Sequence, residues 1–231
     1  MSRIARQRGA TLLVMLLIAV AATAAILLSA FSGGRIERAR EERTYALMAQ
    51  ANEALIGFAA THGRLPRPAL PALPEAPGED GREKKALCAS EADCTGLLPW
   101  LDLGLPAQDN WGHSLRYSVT PEFTSAPLAR TAAIATKRVL SRDAGGALFY
   151  VAGQDACSLA AQCAPAVILS RGRNDAPDSQ DEAGNLMATA SFMQRPRSSE
   201  ANAPGGAFDD LLVTIPLQTL YDRMAAAKTL P

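Results

Sequence analysis

The feature that most constrains this chain is an uninterrupted apolar run near its amino terminus. Residues 10–31 contain no charge in 22 positions, and the preceding residues carry Arg3, Arg6 and Arg8 without any acid. As a helix rising about 1.5 Å per residue, the run would reach roughly 33 Å, which matches the apolar thickness of a bilayer. The basic start favours a cytoplasmic amino terminus. We therefore expect a single-pass membrane helix, with the rest of the chain outside the cytoplasm.

Three kinds of amino-terminal segment are compatible with this pattern. An ordinary secretory signal has an apolar region of about 7–15 residues before a small-x-small cleavage site, so the run is long for one. An uncleaved signal anchor is the second possibility. The third is a short leader cut on the cytoplasmic side after Gly9, where a glycine leaves the scissile bond unhindered before Ala10.

Beyond residue 31 the helical pattern continues in amphipathic form. Apolar residues recur at three- and four-residue spacing with charged residues between them, which predicts a helix with one buried face over residues 32–63. Gly63 can cap this helix in the left-handed conformation, and Pro66 prevents it from resuming. The apolar positions are Ile36, Thr44, Leu47, Met48, Ala51, Leu55, Phe58 and Ala59.

The remaining residues predict an α+β domain. The five prolines in the stretch from Pro66 to Gly81, Pro66 included, predict a linker or surface loop. Residues 115–119 alternate like a half-buried strand, whereas residues 147–151 and 166–169 have the apolar composition of buried strands, so we expect a small antiparallel sheet. After Pro216, the spacing of Leu217, Leu220, Tyr221 and Met224 predicts a short carboxyl-terminal helix.

Four segments of the sequence share a pattern with one known family. They are RQRGATLL at residues 6–13, NEALIGFAATHGRLP at 52–66, DNWGHSLRY at 109–117 and ILSRGRN at 168–174. The third contains a D-x-W-G-x-x-x-x-Y motif, and the fourth an S-x-G-x-D/N turn. Together they resemble the type IV pilin and type II secretion pseudopilin superfamily.

The resemblance implies a pilin-like fold and a role in filament assembly. Prepilin peptidase would remove a basic leader, residues 1–9, by cutting after Gly9, and the new terminus at Ala10 would be methylated. Residues 10–31 and 32–63 would form the transmembrane and amphipathic halves of the first helix, and residues 64–231 an extracytoplasmic domain. Partners would be other pilin or pseudopilin subunits at the bacterial inner membrane, in a pilus, a secretion system or a DNA-uptake machine.

One position departs from the pattern of the family. The usual glutamate at the fifth mature position falls at Val14, and valine cannot neutralise a neighbour's charged amino terminus inside the bilayer. In the family, this absence is typical of the subunit at the filament tip, so the resemblance implies a minor or tip subunit. A divergent repeating subunit that docks without this charge pair is the alternative.

The four cysteines form two pairs of identical spacing, Cys88 with Cys94 and Cys157 with Cys163. Structural zinc sites favour two to four intervening residues and histidine partners, which neither pair offers. In an oxidising compartment, two local disulfides are the simpler interpretation. Four reduced thiols in a cytosolic protein are the alternative.

Oxygen-bearing side chains are concentrated after residue 173 and suggest a calcium site, because calcium takes six to eight oxygen ligands. The cluster includes Asn174, Glu182 and Asn185, and the ligands that we predict are Asp175, Asp178, Asp181, Asp209 and Asp210. The resemblance points the same way, since major pseudopilins bind calcium between an S-x-G-x-D turn and a later Asp pair. Here, however, Ala176 and Pro177 replace the expected glycines. A solvated acidic loop is the alternative interpretation.

Other function classes have little support in the sequence. With 23 basic against 23 acidic residues, the chain lacks the basic surface of a nucleic-acid binder. It has two histidines and none of the common nucleophile, phosphate-binding or metalloprotease motifs, so we do not expect an enzyme. The alternative function is a membrane-tethered periplasmic binding module or hydrolase.

Overall fold

The computed structural model describes the backbone of residues 3–70 and 80–230, and the side chains of these residues outside 3–11 and 24–33. The chain divides into two compact units, Met1–Arg43 and Thr44–Pro231. The first helix, α1, is Arg3–His62. Gly9, Ala10 and residues 24–31 of the predicted membrane segment lie outside the described side chains. Within the part of the chain that the structure describes, no helix is both long enough and apolar enough to cross a membrane.

The part of α1 within the second unit has one apolar face in the core. Met48, Ala51 and Leu55 on this face are fully buried, as the three- and four-residue spacing predicted. The helix ends at His62, and the Gly63 amide donates to the Ala59 carbonyl at 2.9 Å. Gly63 has a φ of 69°, the left-handed cap that the sequence predicted.

A four-stranded antiparallel sheet contributes to the core cluster that contains this face of α1. Its strands are β1 (Thr95–Leu97), β2 (Arg116–Val119), β5 (Ala166–Ser170) and β7 (Leu211–Thr214). They lie in the order β1-β2-β5-β7. Every residue of β5 is buried, which agrees with the apolar run that predicted it.

A second sheet has three strands, β3 (Arg138–Arg142), β4 (Leu148–Ala152) and β6 (Ser191–Met193), in the order β4-β3-β6. It is additional to the antiparallel sheet, which the sequence predicted. The β3 and β4 strands are antiparallel, whereas β3 and β6 are parallel. We predicted a buried strand over residues 147–151, but β4 lies at the edge of this sheet and most of its residues are exposed.

Three short helices complete the described chain. They are α2 (Trp100–Leu103), α3 (Gln180–Leu186) and α4 (Leu217–Ala226), and Pro121–Thr124 forms one 3₁₀ turn. The α4 helix is the predicted carboxyl-terminal helix, and its Leu220, Tyr221 and Met224 are buried. Pro216 is its N-cap residue, so the helix begins directly after this proline, as the sequence predicted.

The cysteines pair locally. Cys88 is bonded to Cys94, and Cys157 to Cys163, in the connectivity that the spacing favoured. Cys88 and Cys94 are buried in the main hydrophobic core, so this disulfide also contributes apolar packing.

Candidate functional site

Two segments that carry the resemblance meet in the folded domain. The Asp109 carboxylate accepts hydrogen bonds from the Trp111 and His113 amides at 2.9 and 3.0 Å, which closes the turn before β2. Its second oxygen accepts from the Ser170 hydroxyl at 2.5 Å, at the end of β5. The His113 ring donates through Nδ1 to the Gly172 carbonyl at 3.1 Å. A buried aspartate thus fixes the two turns to each other.

The turn after β5 also approaches the segment before β7 closely. Gly172 has a φ of 64°, and a Cβ atom there would lie 2.3 Å from the Asp209 carbonyl oxygen. Any side chain at residue 172 would therefore collide with this backbone. Because residue 172 of the S-x-G turn is glycine, the Asp209 backbone can lie directly against this turn.

Beside this contact, three carboxylates form an acidic cluster, which we define as Glu182, Asp209 and Asp210. One oxygen of each lies within 4.8 Å of the others. Glu182 and Asp210 are buried and Asp209 is half-buried. Glu182 is placed by α3, whose N-cap Ser179 accepts a hydrogen bond from the Glu182 amide. The aspartates immediately precede β7, so two elements bring the cluster together.

Backbone amides hold Glu182 in place. Its Oε1 accepts from the Asp209 amide at 2.8 Å and its Oε2 from the Asp178 amide at 2.7 Å. Asp210 Oδ2 accepts from the Asn185 side chain at 2.8 Å. In contrast, Asp209 Oδ1 is buried without a hydrogen-bond partner among the described residues. The cluster therefore retains acceptor capacity that the described residues do not satisfy.

Burial and the charges of neighbouring carboxylates make Asp209 and Asp210 hard to ionise. Burial raises the pKa of Asp210 to about 7, against an ordinary value of 3.8. The Asn185 hydrogen bond lowers this pKa, whereas the charges of Glu182 and Asp209 raise it. Burial, followed by the charge of Glu182, raises the pKa of Asp209 to about 6. A bound cation would relieve both effects, because it stabilises the charged carboxylates.

Only part of the predicted calcium ligand set comes together. Asp209 and Asp210 belong to the acidic cluster, and Glu182, which we did not select, completes it. Glu182 lies beside the aspartates because it is in the first turn of α3. In the sequence, Ser179 and Glu182 have the Ser-x-x-Glu spacing of a capping box, which indicates the start of that helix.

The other three predicted ligands are not part of this close group, although Asp175 lines the same small pocket as Glu182 and Asp210. Asp181 is buried between Arg142 and Arg195, with nitrogen–oxygen distances of 2.8 and 2.9 Å, so its charge is already compensated. Asp175 is exposed and pairs with Arg171 at 2.6 Å. Asp178 is exposed, and only its backbone amide reaches the cluster. The structure therefore brings Asp209 and Asp210 together with Glu182 and leaves these three carboxylates outside that group.

The chemistry of the acidic cluster suits a hard divalent cation. Carboxylate oxygens are the ligands that calcium prefers, and water would complete its coordination. In comparisons with known proteins, no family model, curated protein or solved structure matches the chain.

Proposed function

We propose that this chain is a minor pilin or pseudopilin, a structural subunit of a type IV pilus or of a type II secretion-like filament. The proposal rests on the chemistry of its amino-terminal segment and on the two different surfaces of α1. It places the domain after residue 63 outside the cytoplasm and assigns no catalytic role to the chain.

The main support for this proposal is that the two parts of α1 differ in the exposure of their apolar side chains. In the first unit, large apolar side chains from Leu12 to Val20 are 55–71% exposed. In the second unit, Met48, Ala51 and Leu55 are fully buried. An apolar surface of this size needs cover from lipid or from other helices. We infer that the first helices of neighbouring subunits, packed together in a filament, provide that cover once the subunit leaves the bilayer.

Processing prepares the helix for this role. We propose that prepilin peptidase cuts after Gly9 and that the amino terminus of Ala10 is methylated, which removes Arg3, Arg6 and Arg8 from the end of an apolar helix. Because Val14 replaces the acidic residue that would receive a neighbour's amino terminus, we propose a place at the tip or in a minor position. In purified filaments, such a subunit would be present at a small fraction of the main subunit.

The two connected turns support the same proposal. Asp109 and Ser170 lie in separate segments that resemble the family, and their hydrogen bond joins them in one domain. The disulfides agree with an extracytoplasmic domain, because disulfides persist in oxidising compartments.

The test is the mass of the mature chain from cells with and without prepilin peptidase. We expect a chain that starts at methylated Ala10 only when the peptidase is present. Gly9→Val should abolish the cut by blocking the scissile bond, whereas Gly34→Val, at another glycine of α1, should leave it intact. A chain of full length, or one cut beyond Ala25, would instead support the membrane-tethered binding module or hydrolase.

A further inference from the structure

Lys137, one position before β3, is a buried cation whose partner lies in a distant loop. Its side chain is fully buried, whereas the side chain of that partner, Glu91, is 29% exposed. The Lys137 ammonium donates to Glu91 Oε2, and the Thr136 hydroxyl donates to Glu91 Oε1 at 2.5 Å. Burial lowers the pKa of Lys137, and the charge of Glu91 raises it. Because a buried charge that loses its partner is costly, this part of the fold depends on where Glu91 lies.

Glu91 lies in the middle of the loop that the first disulfide, Cys88–Cys94, closes. Two further hydrogen bonds shape this loop. The Cys94 amide donates to the Ser90 carbonyl at 2.9 Å, and the Thr95 hydroxyl donates to the Glu91 carbonyl at 2.8 Å. The disulfide limits the conformations open to the chain between its two cysteines, so it also limits where the Glu91 carboxylate can lie. Reduction of this bond to two thiols removes that limit.

The segment that carries Lys137 also lies against the second disulfide, Cys157–Cys163. The Lys137 amide donates to the Ala164 carbonyl at 3.0 Å, and the Ala164 amide donates back to the Lys137 carbonyl at 2.9 Å. Ala164 directly follows Cys163 in the chain. The Cys157 sulfur lies 3.7 Å from the Thr136 carbonyl oxygen. The two residues that bind the carboxylate of the first loop therefore also contact the second disulfide or its neighbour.

We propose that the Glu91–Lys137 ion pair couples the two disulfides into a redox-sensitive switch, in which reduction of Cys88–Cys94 opens Cys157–Cys163 to reduction. A dithiol reduces the first disulfide by thiol–disulfide exchange. Two electrons and two protons pass to the cysteine sulfurs, which become thiols, and the dithiol becomes a disulfide. Glu91 then leaves Lys137, residues 136–137 move away from the second disulfide, and a second dithiol reaches its sulfurs. The domain keeps both disulfides only while the first one is intact.

The unequal exposure of the two charges distinguishes this coupling from simple loss of a contact. If Lys137 is replaced, water can solvate the Glu91 carboxylate, because that side chain is partly exposed. If Glu91 is lost, the Lys137 charge stays buried without its partner. Removal of Glu91 should therefore have the same effect as reduction of the first disulfide, and removal of Lys137 should end the coupling. This inference goes beyond the proposed function, because it makes no use of the amino-terminal segment.

The experiment measures how fast the second disulfide is reduced in the full-length chain in detergent. At one fixed concentration of dithiothreitol, thiols are alkylated at successive times, and peptide masses give the initial rate of Cys157–Cys163 reduction. Cys88→Ala with Cys94→Ala removes the first disulfide and should raise this rate at least five-fold. Glu91→Gln retains all four cysteines and should raise it by a similar factor, because it leaves the buried lysine without its counter-charge.

The same changes are then made in a chain that lacks the buried charge. In the Lys137→Met background, loss of the first disulfide, or Glu91→Gln, should change the rate less than two-fold. Arg223→Met is the matched control. It breaks an exposed ion pair with Glu53, whose nitrogen–oxygen distance is 3.6 Å. In this background the five-fold increase should persist.

Circular dichroism and the melting temperature confirm that each variant is folded, and the Glu91→Gln comparison decides the matter if the double cysteine variant does not fold. Equal increases in the Lys137→Met and Arg223→Met backgrounds, or no increase with Glu91→Gln, would overturn the proposal. Cleavage after Gly9 is measured by mass in the same samples, so failure of this coupling is separable from failure of the proposed function.

Discussion

Asp109 and Ser170 are 61 positions apart, and the Ser170 hydroxyl donates to the Asp109 carboxylate at 2.5 Å. The same carboxylate closes its own turn through the Trp111 and His113 amides. Asp109 therefore has a local and a long-range role: it shapes the turn before β2 and ties that turn to the end of β5. Because this residue is buried, water cannot replace a lost acceptor.

Replacement of Asp109 should accordingly destabilise the domain. Asp109→Ala leaves three donors without their acceptor, and we expect the unfolding free energy to fall by about 3 kcal/mol. Urea denaturation measures this loss. Asp143→Ala is the matched control, since Asp143 also accepts from two turn amides but is exposed. Its cost should be below about 1 kcal/mol. Equal losses in the two variants would contradict the proposed importance of burial.

The two disulfides should differ in their contribution. Each closes a short loop, for which chain entropy predicts about 2–2.5 kcal/mol. Cys88 and Cys94 are also buried in the main core, whereas Cys157 is only half-buried. The double replacement Cys88→Ala and Cys94→Ala should therefore lower the melting temperature more than Cys157→Ala with Cys163→Ala. Thermal unfolding of both double variants decides this, and the reverse order would show that packing around the first pair is unimportant.

The sequence was most informative where one local signal determines a structure. Gly63 followed by Pro66 located the end of α1, and the uniformly apolar residues of β5 indicated a buried strand. The equal cysteine spacing favoured the observed disulfides. In each case, neighbours in the sequence carry the constraint, so no knowledge of distant contacts is needed.

Prediction was weaker where distant contacts decide. The β6 strand has three residues, too few to show a periodicity, and it exists through its parallel pairing with β3. Asp181 was a reasonable calcium ligand by type, but Arg142, 39 positions earlier, binds it. The composition of residues 147–151 predicted burial, although the position of a strand within its sheet depends on the whole topology. Part of the acidic cluster was therefore predicted, while the pairing that excludes Asp181 was not.

The acidic cluster should make stability depend on pH. The pKa of Asp210 is about 7 in the folded chain, against 3.8 ordinarily. Between these values the folded chain binds more protons than the unfolded chain, so the unfolding free energy falls as pH rises. Asp210→Asn removes this titration and keeps an oxygen that can accept from Asn185. With chelator present, we expect the variant to be more stable than the natural chain at pH 8, by about 1–2 kcal/mol.

The comparison is made by urea denaturation at pH 5, 6, 7 and 8. The Asp210→Asn variant should lose less stability over this range than the natural chain. Asp222→Asn, on the exposed side of α4, provides the control and should follow the natural chain. Parallel curves for the natural chain and Asp210→Asn would mean that Asp210 does not titrate in this range.

Calcium should stabilise the domain through the same carboxylates. At a calcium concentration ten times the dissociation constant, binding contributes about 1.4 kcal/mol, or an increase of roughly 3–6 °C in the melting temperature of a domain of this size. A chelator should reverse this increase in the melting temperature.

Glu182→Gln removes one of the three carboxylate charges of the acidic cluster, so it should abolish the increase. Asp178→Asn changes an exposed side chain outside the cluster and keeps the amide that binds Glu182, so its response should match that of the natural chain. If Asp178→Asn loses the calcium-induced increase and Glu182→Gln keeps it, the calcium ligands are those that we predicted from the sequence. If calcium does not change the melting temperature of the natural chain, the acidic cluster does not bind calcium.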